Sequence, residues 1–152
     1  MKNSLPVSIL PLLYSTLIFP YYQYCNMVWA YNNPSNLHRL LVLQKRTIRI
    51  ISAAEYRAHS ADLFKRHRHL TLVDIYKLQI AVFVFKSQIN LLPSVFFDYF
   101  KCNSELHRHF TRSANNLHTI RHHINTRYFS TKVQGSIIWN GLDSNLREKF
   151  VK

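Results

Sequence analysis

Glycine is nearly missing from this chain: Gly135 and Gly141 are the only two among 152 residues. Loops that cradle phosphates need several glycines so that backbone N–H groups can approach the ligand, so a P-loop, a kinase-type glycine loop and a dinucleotide fingerprint are excluded. Cysteine is as scarce. Cys25 and Cys102 lie far apart with no C-x-x-C, too few for a disulfide scaffold or a thiolate zinc site, and a reducing compartment is the default. Acids are few as well, seven Asp and Glu against 20 Lys and Arg, for a formal charge of +13. Glu55, Asp62, Asp74, Asp98, Glu105, Asp143 and Glu148 are never adjacent or two apart, so the bridging carboxylates of metal-dependent phosphoryl transfer have no source here. No nucleophile elbow accompanies the serines. The expectation is a chain with no catalytic residue, no metal and no cofactor of its own.

The N-terminus also lacks a clean apolar stretch followed by a small-residue cleavage site, which points away from secretion and toward the cytoplasm or nucleus. What the chain does have is apolar mass, 47% of residues with ten Phe and nine Tyr, enough to cover a core. Its charge is blocked. Between Asn3 and His38 there is no charged residue, whereas Arg39 to Arg68 holds eight cations against Glu55 and Asp62. Spanning a bilayer takes about 20 continuous apolar residues. Pro6, Pro11, Pro20 and interspersed Ser, Thr, Gln and Asn interrupt the uncharged block, so the reading is a buried pair of short helices, about Ser8–Phe19 and Tyr21–Tyr31, divided at Pro20, and no membrane partner is expected.

Asn33-Pro34 reads as a helix start, with Asn as N-cap and Pro where its missing N–H costs nothing. From there Leu37, Leu40, Leu41, Gln44, Ile48 and Ile51 follow helical spacing, which predicts a helix over Asn33–Ser52. Arg39, Lys45, Arg46 and Arg49, with His38, fall on the adjacent arc. Leu43 and Ile50 lie outside the apolar arc, which suggests cover on more than one side. Thr71 and Asp74 fit a capping box before a long apolar run, predicting a second helix over Thr71–Ile89 that ends near Asn90, ahead of Pro93. Its expected core stripe is Leu72, Ile75, Leu78, Val82, Phe85 and Ile89, widened by Phe83. Val95 to Phe100 fits a helical turn or a short strand equally well.

Beyond Lys101 the chain turns polar and rich in His and Asn, so residues 101–127 read as its least ordered stretch. Order is expected to return near 135–142, around Gly135, Trp139 and Gly141. His67-x-His69, His107-x-His109 and His122-His123 invite a zinc reading, but soft ligands are missing and the spacing is weak; such histidines in a basic chain more often lie on a solvated or phosphate-facing surface. The cationic block is the more informative feature. Arg39, Lys45, Arg46 and Arg49, supported by Lys65, Arg66 and Arg68 and near Arg57, form a cluster with almost no acids, which favours contact with a phosphate backbone. The aromatic residues read mostly as core.

Several of these segments resemble one family. Leu12-Leu13-Tyr14-Ser15-Thr16-Leu17-Ile18-Phe19-Pro20 followed by Tyr24-Cys25-Asn26-Met27-Val28-Trp29 resembles the "LYxSLIxPxLxYCxxVW" segment of non-LTR retrotransposon reverse transcriptases, the jockey-like and other LINE-like elements. Leu40 to Ile51 is similar to their "LxxLQKRAIRII", and His59 to Phe64 to "HTxPLF". Leu70 to Lys86 with Asn90-Leu91-Leu92-Pro93 is similar to "LxLxDIYxLQxxxFxYK" and "NxLP". Thr111-Arg112 and Gly135 to Asn140 are similar to "TR" and "GPxLWN". The strings occur in the family's order across nearly the whole chain. Asp62, Ser136 and Asp143 depart from it, each standing where the family tends to have proline.

The resemblance implies a piece downstream of the polymerase palm, since the family's aromatic-x-Asp-Asp string does not occur here. It implies a thumb and linker that hold template–primer duplex through its backbone, in an element whose complete protein is an RNA-directed DNA polymerase. The combined expectation is a mainly α chain: a small helical, thumb-like bundle over residues 1–100, then a less ordered, basic, His-rich linker over 101–152. RNA and DNA backbones are its expected partners, together with the polymerase core of the same element. The rivals are a truncated remnant without a role, a membrane-attached helical protein, and an interaction module whose apolar surface meets an absent palm.

Overall fold

The computed structural model describes residues 6–30, 34–107, 109 and 111–151. The chain is mainly helical, with no strand among the described residues. It forms two compact units, Met1–Tyr76 and Lys77–Lys152. The division falls inside the second long helix, where the sequence suggested a boundary near residue 100.

In the first unit a 3-10 turn, Val7–Ile9, leads into α1 (Leu10–Leu13), a π turn over Tyr14–Ile18, and α2 (Phe19–Gln23). Pro20 therefore does not divide two helices. The wider π turn, in which the Phe19 N–H reaches the Tyr14 carbonyl, makes room for a ring that would otherwise strike the preceding turn. The break comes later, where Tyr24 is extended and Cys25 is left-handed (φ 49°), before α3 (Asn26–Trp29). Nor is the segment wholly buried. Tyr14 is 2% exposed, but Leu12, Leu17, Tyr21, Tyr24 and Val28 face outward.

Helix α4 (Pro34–Ile51) follows the predicted course; its expected cap, Asn33, lies outside the described residues. Gln44, Ile48 and Ile51 are buried as the spacing required, whereas Leu43 and Ile50 are exposed and not covered by a second side. Tyr14, Ile48, Ile51, Leu63 and Phe64 form the core, which joins α4 to α5 (Ser60–Arg66). Gln44 ties it together. Completely buried, its amide donates to Tyr14 Oη (3.0 Å) and to the Leu70 carbonyl (3.1 Å), and its Oε1 accepts the Leu72 N–H at 2.9 Å. The first-turn N–H of the next helix is thereby satisfied from within the core.

That helix, α6 (Leu72–Gln88), starts on the predicted box: Asp74 N–H donates to Thr71 Oγ1 and the Thr71 hydroxyl donates to Asp74 Oδ2. It ends with Asn90 left-handed, Asn90 N–H on the Ser87 carbonyl and Leu91 N–H on the Lys86 carbonyl, a Schellman motif. Its buried stripe differs from the predicted one. Leu72, Ile75, Tyr76, Ile80 and Val84 are buried, while Leu78 and Val82 are exposed and Ile89 is at the margin. From Leu78 to Phe85 the helix is apolar almost all round, so periodicity had no polar side against which to fix the face.

In the second unit Val95–Phe100 is helical turn rather than strand, with a 3-10 turn over Ser94–Phe96. Phe83, Phe96, Tyr99 and Phe100 meet edge to face. Among the described residues of 101–128 there are two single-turn helices, α7 (Asn103–Leu106) and α8 (Asn125–Tyr128), and one isolated bridge, Cys102 to Leu117. Polar side chains hold this stretch: Asn103 Nδ2 donates to the Ser113 carbonyl and Arg147 Nη1 to Asn116 Oδ1. Helix α9 (Thr131–Asn140) starts at the Ser130 cap, and α10 (Ser144–Val151) follows. Gly135 is not in a turn. It lies inside α9, where a Cβ would stand 2.6 Å from the Phe100 ring and 3.1 Å from Val84.

Candidate nucleic-acid interface

The cations expected to contact phosphate divide into two groups. On α4, Arg39 and Arg46 are seven residues apart, both exposed and on the face opposite the core; Lys45 and Arg49 are half-buried on its flank. Lys65 and Arg66 occupy the last turn of α5, where the negative end of the helix favours them. Arg68 follows as the left-handed residue (φ 54°) of that helix's Schellman turn, with Arg68 N–H on the Lys65 carbonyl and His69 N–H on the Phe64 carbonyl. Among the described residues none of the seven has an acidic partner. The one ion pair among the described residues is Lys101 with Asp98, at 3.4 Å in the other unit.

Arg49 is the exception to a free cationic surface. Its Nε donates to the Ala58 carbonyl at 2.9 Å, so the side chain is committed to holding the loop after α4. That loop turns back because Ala53 is left-handed (φ 48°), with Ala53 N–H on the Ile50 carbonyl and Ala54 N–H on the Arg49 carbonyl. The turn brings Tyr56 beside the helix. Arg46, Arg49, Ile50, Ala54 and Tyr56 line a shallow cleft of about 430 Å³, with Tyr56 74% exposed. Arg39, Lys45, Lys65, Arg66 and Arg68 do not line it. Sequence reading missed Tyr56, because nothing at Ala53 marks a left-handed turn.

The histidines and acids are mostly occupied in the fold. His67 Nε2 and Ser52 Oγ are 2.9 Å apart, and the His67 and His69 rings stack at 6.4 Å. Burial, with His67 nearby, holds the His69 imidazole below its ordinary range. No group of three His, Cys, Asp or Glu able to hold a metal ion occurs among the described residues. The Asp74 carboxylate accepts the hydroxyl of the capping Thr71, and burial first, then Glu105, pushes the Cys102 thiol upward, away from the reactive thiolate. A second cavity, about 480 Å³ and almost wholly apolar, lies in the other unit between Leu78, Val82 and Phe85 of α6 and Ile137, Leu142 and Leu146. Among the described residues no helix is long and apolar enough to cross a membrane. No family model, curated protein or solved structure matches the chain.

Proposed function

We propose that the chain binds nucleic-acid backbone through the outer face of α4, as the thumb-like, C-terminal part of a non-LTR retrotransposon reverse transcriptase whose polymerase carboxylates lie elsewhere. The observation that carries this reading is that, among the described residues, Arg39, Lys45, Arg46, Lys65, Arg66 and Arg68 have no acidic partner. A solvated helix face ordinarily mixes signs and pairs charges along its turns. A face of one sign concentrates potential and attracts a polyanion, gaining affinity by release of condensed counterions. The element's address on this reading is cytoplasmic or nuclear.

The test is a triple variant, Arg39→Ala, Lys45→Ala and Arg46→Ala, which spares the structural Arg49. Binding of an RNA–DNA duplex should weaken alike for all sequences, and the slope of log affinity against log salt should shallow by up to about three units. Unchanged affinity and slope would falsify the assignment. A second reading has its own observation: Leu12, Leu17, Tyr21, Tyr24 and Val28 are exposed along an uncharged segment, which suits a protein contact such as the element's own polymerase core. Co-expression with that core should bury these positions, and labelling of cysteines placed there would read it out.

A further inference from the structure

The cleft at the C-terminal end of α4 brings three properties together in one place. It is concave, Arg46 and Arg49 both line it, and it is lined as well by Tyr56, a residue left 74% exposed. The fold holds this arrangement in place: the Ala53 turn reverses the chain and the Arg49 Nε bond to Ala58 pins the returning loop. Arg49 is thus pre-positioned. Ile50, 65% exposed, adds an aliphatic surface to the lining. Glu55 and Arg57 flank Tyr56 in sequence and offset one another in charge.

A duplex presents phosphates to a surface and keeps its bases stacked inside. Nothing in duplex binding calls for Tyr56 beside the arginines. An unpaired nucleotide offers both features at once, an anionic phosphate for a guanidinium and a free π-face for an aromatic ring. We propose that the Arg46–Arg49–Tyr56 cleft takes one unpaired nucleotide of a single-stranded segment, its base stacked on Tyr56 and its phosphate on Arg46. This rests on the backbone-binding reading above and adds a preference to it: a strand with an unpaired end or loop binds better than a blunt duplex.

The experiment uses the full chain and two fluorescent probes, an oligothymidylate of about twelve nucleotides and a blunt duplex of equal length. Tyr56 is exposed, so Tyr56→Ala should leave the fold intact. It should lower affinity for the single strand about tenfold and leave the duplex within about twofold, with Tyr56→Phe retaining single-strand binding. The Arg39, Lys45 and Arg46 triple variant should weaken both probes. If Tyr56→Ala binds the single strand like wild type while the triple variant loses both probes, the cleft proposal is overturned and the backbone reading stands. If the wild-type chain binds neither probe at low salt, both fall. Displacement of the single strand by poly-glutamate at matched charge, with Tyr56→Ala indifferent, would instead assign the cleft to acidic protein and also overturn it.

Discussion

Asn140 and Leu117 are joined by two hydrogen bonds of opposite sense: Asn140 Nδ2 donates to the Leu117 carbonyl and the Leu117 N–H donates to Asn140 Oδ1, both at 2.9 Å. A side-chain amide at the end of α9 thus does for Leu117 what a neighbouring strand would do, satisfying both backbone groups of a residue that is 2% exposed. Asn140→Ala would leave that pair without its partner. Such a loss costs about 1–3 kcal/mol, and urea unfolding of the variant should show a midpoint lowered accordingly; a midpoint equal to wild type would mean that water replaces the amide.

Gly135→Ala should destabilise as well. The added Cβ would sit 2.6 Å from Phe100 and 3.1 Å from Val84, so the ring must move, at a cost of about 1–3 kcal/mol that outweighs the better helix propensity of alanine. Combining it with Phe100→Leu should recover part of the loss. Thermal unfolding of the single and double variants reads this, and equal melting temperatures for wild type and Gly135→Ala would show that the gap is larger than the backbone geometry implies.

Among the described residues three helices end on left-handed residues that are not glycine: Ala53, Arg68 and Asn90. A Cβ in that conformation costs about 1–2 kcal/mol, less for Asn. Ala53→Gly is therefore expected to raise stability by about 1 kcal/mol and Asn90→Gly by less. A stability ranking in the reverse order would contradict the assigned backbone.

The pH dependence has a definite sign. His69 packs on Tyr14 at 4.8 Å and on Phe19 at 6.4 Å, and burial, followed by His67, lowers its pKa from the usual value. The unfolded chain then takes the proton first. His69 has no effect on stability above about pH 7, and stability falls as pH drops through the unfolded value of about 6.5 toward the lower folded one. Melting temperatures measured over that range should fall less for His69→Phe, which keeps the ring contact without the charge. An identical fall in the variant would assign the effect to other groups.

Much of this architecture is legible in the residues, and the rest is hidden for identifiable reasons. Thr71 and Asp74 announce the start of α6 because a cap is a local device, and the α4 stripe from Leu37 to Ile51 reads correctly because a basic flank fixes its phase. The α6 face could not be read, since Leu78 and Val82 are as apolar as the buried Ile80 and Val84. Pro20 suggested a break that a π turn absorbs. The described residues around Asn103 and 111–118 are held by Asn103, Asn116 and Asn140 bonding to distant partners, which composition registers only as polarity. Tyr56 in the cleft depends on a turn at an alanine and on an arginine that grips a carbonyl nine residues away.

The scarcity of internal ion pairs has a consequence for solution behaviour. With Lys101 and Asp98 the single pair among the described residues and a formal charge of +13, like charges in the folded state repel one another with little internal relief. Added electrolyte should then harden the fold while loosening its grip on RNA or DNA, two responses of opposite direction to one variable. A bound polyanion would do what the electrolyte does for the fold, so that ligand and native structure reinforce each other.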